Sequence, residues 1–168
     1  MSMFGDNGWR SWADLSDDRV YRYALGRTWD DTLGQVVFIG LNPSTADETL
    51  NDPTIRRCIG FAKAWGYGSL VMLNLFALRA TDPKGLRIAL DPIGYPRNDQ
   101  EISRYARQSA LVVAAWGADE FAIQRGQVVV EQIRYQGDGY KLHHLGRTKH
   151  GQPKHPLYLA KTTDLQRW

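Results

Sequence analysis

The chain has 168 residues, 43% of them hydrophobic and 23% charged, which fits one domain with its own core and excludes a disordered chain. Its 21 basic side chains against 18 acidic ones leave a net charge of +3, compatible with a polyanionic partner but too weak for a nucleic-acid-coating protein. The single cysteine, Cys58, excludes an intramolecular disulfide, and no apolar run approaches the roughly 18–20 residues that span a bilayer. The first ten residues lack a signal peptide's apolar stretch, so a soluble cytoplasmic protein with no membrane partner is expected. Six Trp and eight Tyr are many for this length and serve either a rigid core or a stacking surface.

One domain over residues 1–168 is expected, with 1–17 a loose polar lead-in. Tyr21, Tyr23 and Leu25 alternate with Arg22, Ala24 and Gly26, which predicts a half-buried strand that adds as an antiparallel edge. Val36–Ile39 is a continuous apolar run of the kind found in central strands buried on both faces. It stops at Gly40-Leu-Asn-Pro-Ser-Thr45. Asp52 and Pro53 then open a helix with Ile55, Ile59 and Ala62 on one face, ended by Gly66. Cys58 lies beside that face as a core or boundary residue. Ser69–Asn74 is a second buried strand, and residues 81–96 read as an irregular excursion. Asn98 and Glu101 have the spacing of a capping box, with Ile102, Tyr105 and Ala106 following on one face of a second helix. Ala110–Trp116 is a third buried strand closed by Gly117, a helix follows over 119–134, and Tyr140–Leu145 is a fourth strand. Gly146–Pro156 is a basic loop.

Strands alternating with helices predict an α/β fold, a three-layer α/β/α sandwich around a central, mainly parallel sheet. In such sheets ligands bind beyond the carboxyl ends of the parallel strands. That rule selects residues 40–45, 74–79, 116–118 and 146–155, which also carry the most unusual polar chemistry.

Within the first segment, Gly40 permits close backbone approach, and Pro43 holds Asn42 in extended geometry. Asn42 and Ser44 either satisfy the turn's own backbone groups or present an amide and a hydroxyl to a water or an oxyanion. Asn74, at the end of its strand, either caps the next turn or reads the edge of a base. All four histidines, His143, His144, His150 and His155, lie within 13 residues of one another. Adjacent His143 and His144 point to opposite sides of a strand, and no cysteine is nearby, so no metal and no other cofactor is expected. His155 or His150 in a loop over the crevice suits an acid or an electrophile. Arg79, Arg147, Lys149 and Lys154 are candidate phosphate contacts, whereas Arg56 and Lys161 read as solvated surface.

Taken together, Asn42-Pro-Ser-Thr-Ala-Asp47, Asn51-Asp-Pro-Thr-Ile-Arg-Arg-Cys58, Trp65-Gly-Tyr-Gly68, Asn74 to Pro83, Ala115-Trp-Gly117 and Lys154-His-Pro-Leu-Tyr158 resemble the family called domain of unknown function 1643. The motif order is also similar, more distantly, to the uracil-DNA glycosylase superfamily. Gly40-Leu-Asn-Pro43 resembles its water-placing loop, Val71-Met-Leu-Asn74 its base-reading strand end, Val112 to Gly117 its later Trp-Gly strand, and Lys154-His-Pro156 its final loop. Leu157 stands where that superfamily usually has a serine. The resemblance implies catalytic roles for Asn42 and His155 or His150. It implies a base site around Gly40, Leu41, Pro43, Ser44, Thr45, Asn74, Phe76, Trp116 and Gly117. The expected partner is nucleic acid or a nucleotide, and the expected reaction is hydrolysis of an N-glycosidic bond, with a flipped base if the substrate is DNA. Two alternatives stand beside it: a module that binds a nucleotide or modified base without cleaving it, and a nucleotide-processing enzyme with Asp47 or Asp52 as base.

Overall fold

The computed structural model describes residues 8–168. The fold is mixed α/β, with strands β1 (Arg10–Leu15), β2 (Arg22–Thr28), β3 (Gln35–Gly40), β4 (Ser69–Asn74), β5 (Leu111–Ala114), β6 (Leu142–His144) and β7 (Gln166–Arg167). The helices are α1 (Pro53–Ala64), α2 (Lys84–Ile88), α3 (Arg97–Gln108) and α4 (Ala122–Tyr135). All seven strands form one sheet in the order β1-β2-β4-β3-β5-β6-β7. The sheet is parallel only across β4, β3, β5 and β6. β1 and β2 on one side and β7 on the other pair antiparallel, so the expectation of a mainly parallel sheet holds for the centre alone.

β3 lies between β4 and β5, so the chain leaves it toward one side through α1 and later crosses to its other side through α3. Strand alternation then divides the core in two. Val37, Ile39, Val71, Leu73, Val112 and Ala114 pack with Ile102 and Ala106 of α3 and Val129 and Ile133 of α4. Val36, Phe38, Leu70, Met72, Leu111 and Val113 pack with Ile55, Cys58, Ile59 and Ala62 of α1. Cys58 is thus a core residue, and burial raises its thiol pKa far above the ordinary range.

α1 starts as its sequence requires: Asp52 accepts the Ile55 amide at 2.8 Å and Pro53 occupies the first turn. Gly66, just past the helix end, has φ of +83°, a conformation that favours glycine.

Four expectations are corrected. Residues 10–15 of the polar lead-in form β1, while 1–7 lie outside the described residues. β2 is consequently not an edge, and both its faces are buried except at Thr28, because β1 and β4 flank it. The excursion over 81–96 contains the short helix α2. Finally, Asn98 and Glu101 form no capping box. Asn98 sits inside α3, fully buried, and its amide nitrogen donates to the carbonyls of Asn74 (3.0 Å) and Leu75 (3.2 Å). Glu101 instead pairs with Arg104 one turn on.

Candidate ligand site at the carboxyl ends of the central strands

β3 and β4 run in register, with Gly40 opposite Asn74 at their carboxyl ends. The pairing continues into the loops, where the Leu75 amide donates to Gly40 and the Phe76 amide to Leu41, at 2.9 and 3.0 Å. Gly40 is required at this point. A Cβ there would sit 2.9 Å from the Asn74 amide nitrogen. Next to these strand ends lies a cavity of about 330 Å³, at the small end of the range for ligand pockets. Gly40, Leu41, Asn42, Ser44, Asn74, Trp116 and His155 all line it. Residues separated by more than a hundred positions therefore share one wall system.

Asn42 satisfies backbone groups of the surrounding loops with its nitrogen. Its amide nitrogen donates to the Ala80 carbonyl (2.8 Å) and to that of Pro43 (3.0 Å), tying the loop after β3 to the loop after β4. Its Oδ1 has no donor among the described residues and remains an acceptor.

Asn74 is 4% exposed. Its Oδ1 accepts from Arg22 at 3.4 Å. A guanidinium can only donate, so this contact fixes the amide orientation and leaves Nδ2 as the free donor. Its backbone is held from behind by Asn98, and the next carbonyl, Leu75, also accepts from the buried Arg125 at 3.0 Å. Arg125 is in turn ion-paired with Asp99.

His155 precedes a single 3-10 turn, Pro156–Tyr158, and its Nδ1 accepts the Leu157 amide at 3.2 Å. The proton of the neutral ring is therefore on Nε2. Burial holds this imidazole below the usual histidine range, with Asp52 pulling weakly the other way. The indole nitrogen of Trp116 donates to Gln152 at 3.1 Å, and the ring packs on Gly126 of α4, which has no side chain to obstruct it.

Other expected site residues lie elsewhere. Pro43 is buried in the loop and pairs through its carbonyl with the Ala80 amide. Phe76 is in the core, stacked on Phe121. Gly117 is adjacent to His155 without lining the cavity. Thr45 and Arg79 line a neighbouring depression that shares Ser44, Ala80 and Thr81 with the cavity. The 146–155 loop closes on itself through an Arg147–Pro153 bridge. Arg147 lies over the Trp168 ring, Lys149 and His150 are exposed, Lys154 packs beside Gly146, and none of the four lines the cavity. His143 and His144 point apart as expected, one bonded to the Lys141 carbonyl and the other against Trp168. Among the described residues no group of three His, Cys, Asp or Glu side chains is placed to hold a metal.

The structure adds cavity residues for which no site role was expected: Thr54, Met72, Thr81 and Tyr158, which lie within the sequence motifs, and Arg22, which lies in none. Asp52, expected as a helix cap and weighed as a base, is the one carboxylate lining the cavity among the described residues. Asp47 turns inward on its own loop, accepting the amides of Thr49 and Leu50. Arg56 and Lys161 border a separate groove along α1 together with Arg57. No helix is long and apolar enough to cross a membrane among the described residues.

Comparison with curated proteins finds no match, nor does comparison with solved structures. Residues 22–157, which include every residue lining the cavity except Tyr158, fit the family model described as Protein of unknown function (DUF1643), and the chain belongs to that family.

Proposed function

We propose that this protein recognises a nucleobase and hydrolyses an N-glycosidic bond in DNA or a nucleotide, on a three-layer α/β/α fold like that of the uracil-DNA glycosylases. The observation that carries the reading is the convergence of Asn42, Asn74, Trp116 and His155 on one small cavity at the sheet's carboxyl edge. Each group suits a step of the chemistry. The free Oδ1 of Asn42 can accept a hydrogen bond from a water and aim it at the sugar carbon. Trp116 supplies a flat wall for a base. The free Nδ2 of Asn74 reads an acceptor, so bases with a carbonyl on that edge are preferred over those with an amino group. As the glycosidic bond breaks, negative charge develops on the departing base, and the neutral Nε2–H of His155 can stabilise it.

Asp52 favours a second reading, in which its carboxylate is the base that activates the nucleophile. A third, non-catalytic module would use the same cavity for binding alone. The test is incubation with oligonucleotides and nucleotides carrying uracil, hypoxanthine and hypermodified bases, scored for abasic sites and free base. Release by the wild-type chain, reduced by about 10²–10³ in Asn42→Ala, is expected. Retained ligand binding with no base released at any enzyme concentration would establish the binding module instead.

A further inference from the structure

Arg22 opens β2 and is 2% exposed, yet it lines the cavity. Among the described residues no carboxylate stands within ion-pair distance of it. Its hydrogen bonds go to two neutral acceptors, the Ala46 carbonyl at 2.9 Å and Asn74 Oδ1 at the long distance of 3.4 Å. Its Nε is buried with no partner among the described residues. A guanidinium carries five donors, so most of its capacity is unspent. Burial lowers its pKa to about 10, with Asp52 and Asp47 acting against that shift and Arg79 and Arg27 adding to it. It is still a cation at neutral pH.

An unpaired buried cation is costly, and buried charges are ordinarily paired. Here the unpaired one faces a cavity. The adjoining depression carries a second cation, Arg79, whose own bonds among the described residues also go only to carbonyls, those of Ser44 and Arg19. The two arginines are brought together by chain pairing. Tyr21 bridges Leu78, and the Arg79 amide donates to Val20 at 2.9 Å. The hydroxyl residues Ser44 and Thr81 line both spaces.

We propose that the cavity takes a phosphorylated ligand and that Arg22 binds its phosphate, with Arg79 and the Ser44 and Thr81 hydroxyls completing the anion site. A phosphate monoester presents three terminal oxygens and a phosphodiester two, on a tetrahedral centre that can meet guanidinium groups and hydroxyls from several directions, whereas a carboxylate is confined to one plane. The carboxylate of Asp52 repels an anion beside it, so the phosphate lies on the Ser44–Thr81 side. The inference rests on the cavity being the ligand site, but not on bond cleavage. The phosphate can come from a free mononucleotide or from a phosphodiester.

Calorimetric titration of the full chain with thymidine, deoxyuridine and deoxyinosine, with their 5′-monophosphates, and with the dinucleoside phosphodiester of thymidine tests it. At least one phosphate-bearing form should bind about tenfold or more tighter than its nucleoside. Tighter binding of the monophosphate points to a free nucleotide, and of the phosphodiester to a strand. Arg22→Gln should erase the advantage and Arg22→Lys should keep part of it. If Arg22→Gln does not fold, Arg79→Gln at the partly exposed rim should reduce the same advantage. Nucleosides binding as tightly as nucleotides, an advantage that survives Arg22→Gln, or no binding of any phosphate-bearing probe would overturn the inference. Base release that is indifferent to phosphate would refute it while leaving the hydrolytic reading standing. Phosphate-dependent binding without base release does the reverse.

Discussion

Asn42 and Asn74 carry the same amide and use it in opposite ways. Asn42 spends its nitrogen on Ala80 and Pro43 and keeps its oxygen, whereas Asn74 spends its oxygen on Arg22 and keeps its nitrogen. One is left an acceptor and the other a donor. Asn42→Asp should therefore fail differently from Asn42→Ala. The aspartate sets a carboxylate against the Ala80 carbonyl and should lower stability by about 1–3 kcal/mol, measured by urea unfolding, while the alanine should mainly lose base release. His155 and His144 give a second prediction. Burial holds both imidazoles below the ordinary histidine pKa of about 6.5. The unfolded chain then takes up protons that the folded chain resists, so stability should fall as pH drops from about 6.5 toward 5. The melting temperature of a His144→Gln, His155→Gln variant should change less over that window than that of the wild type. At this scale Asn42, Asn74 and His155 were legible because each punctuates an apolar run or a loop with a polar group. Arg22 was not. In an alternating strand it reads as the solvent-facing partner of Tyr21 and Tyr23, and only the neighbours of β2 show that no solvent is there.

At the level of elements, the parallel strands and their helices were readable because their signals are local: unbroken apolar runs for β3, β4 and β5, a capping aspartate and a proline for α1. What escaped was decided by distant contacts. β1 is short, polar and only partly buried, and it exists because β2 offers it an edge. Asn98 looks like a helix cap in sequence, but the carbonyls of Asn74 and Leu75 draw it into the core. Asp52 joins two functions in one side chain, which a single substitution separates. Asparagine caps helices as well as aspartate, so Asp52→Asn should fold with unchanged stability, whereas Asp52→Ala should cost about 1 kcal/mol. Under the proposed hydrolysis, base release retained in Asp52→Asn would exclude Asp52 as the base, and release abolished in it would favour Asp52 as the base. Gly126 offers a further test. Glycine within a helix ordinarily costs about 0.5–1 kcal/mol relative to alanine. Here an added Cβ would lie 2.9 Å from the Trp116 ring. Gly126→Ala should therefore destabilise α4's packing, and tryptophan fluorescence should report the displaced cavity wall.

Across the whole molecule, the site depends on a strand that never touches it. Arg27 of β2 is 1% exposed and donates to Trp12 of β1, to the carbonyls of Asp47 and Leu50, and to Asn51 Oδ1. Those last three residues form the loop that delivers Asp52 and α1 to the cavity. Trp12 completes the clamp, lying across Gly26 and stacking on Tyr105 of α3 with ring centroids 5.8 Å apart. β1 thus ties the sheet, α3 and the cavity loop together through two side chains. Removing residues 1–17 should do more than shorten a tail. It uncovers the hydrogen-bonding edge of β2 along with Ala24 and Gly26, and such an edge invites pairing between chains. The truncated protein should unfold at lower urea concentration and self-associate in light scattering. Its affinity for any cavity ligand should fall as well, because Arg27 loses an anchor beside the 47–51 loop. Trp12→Ala separates the two effects. It keeps the β1 backbone and the Arg27 bond to the Trp12 carbonyl, so it should lose stability while keeping the full chain's state of association and its ligand affinity. A truncated chain that associates no further than the full chain and binds ligand as it does would show that the cavity loop stands without β1.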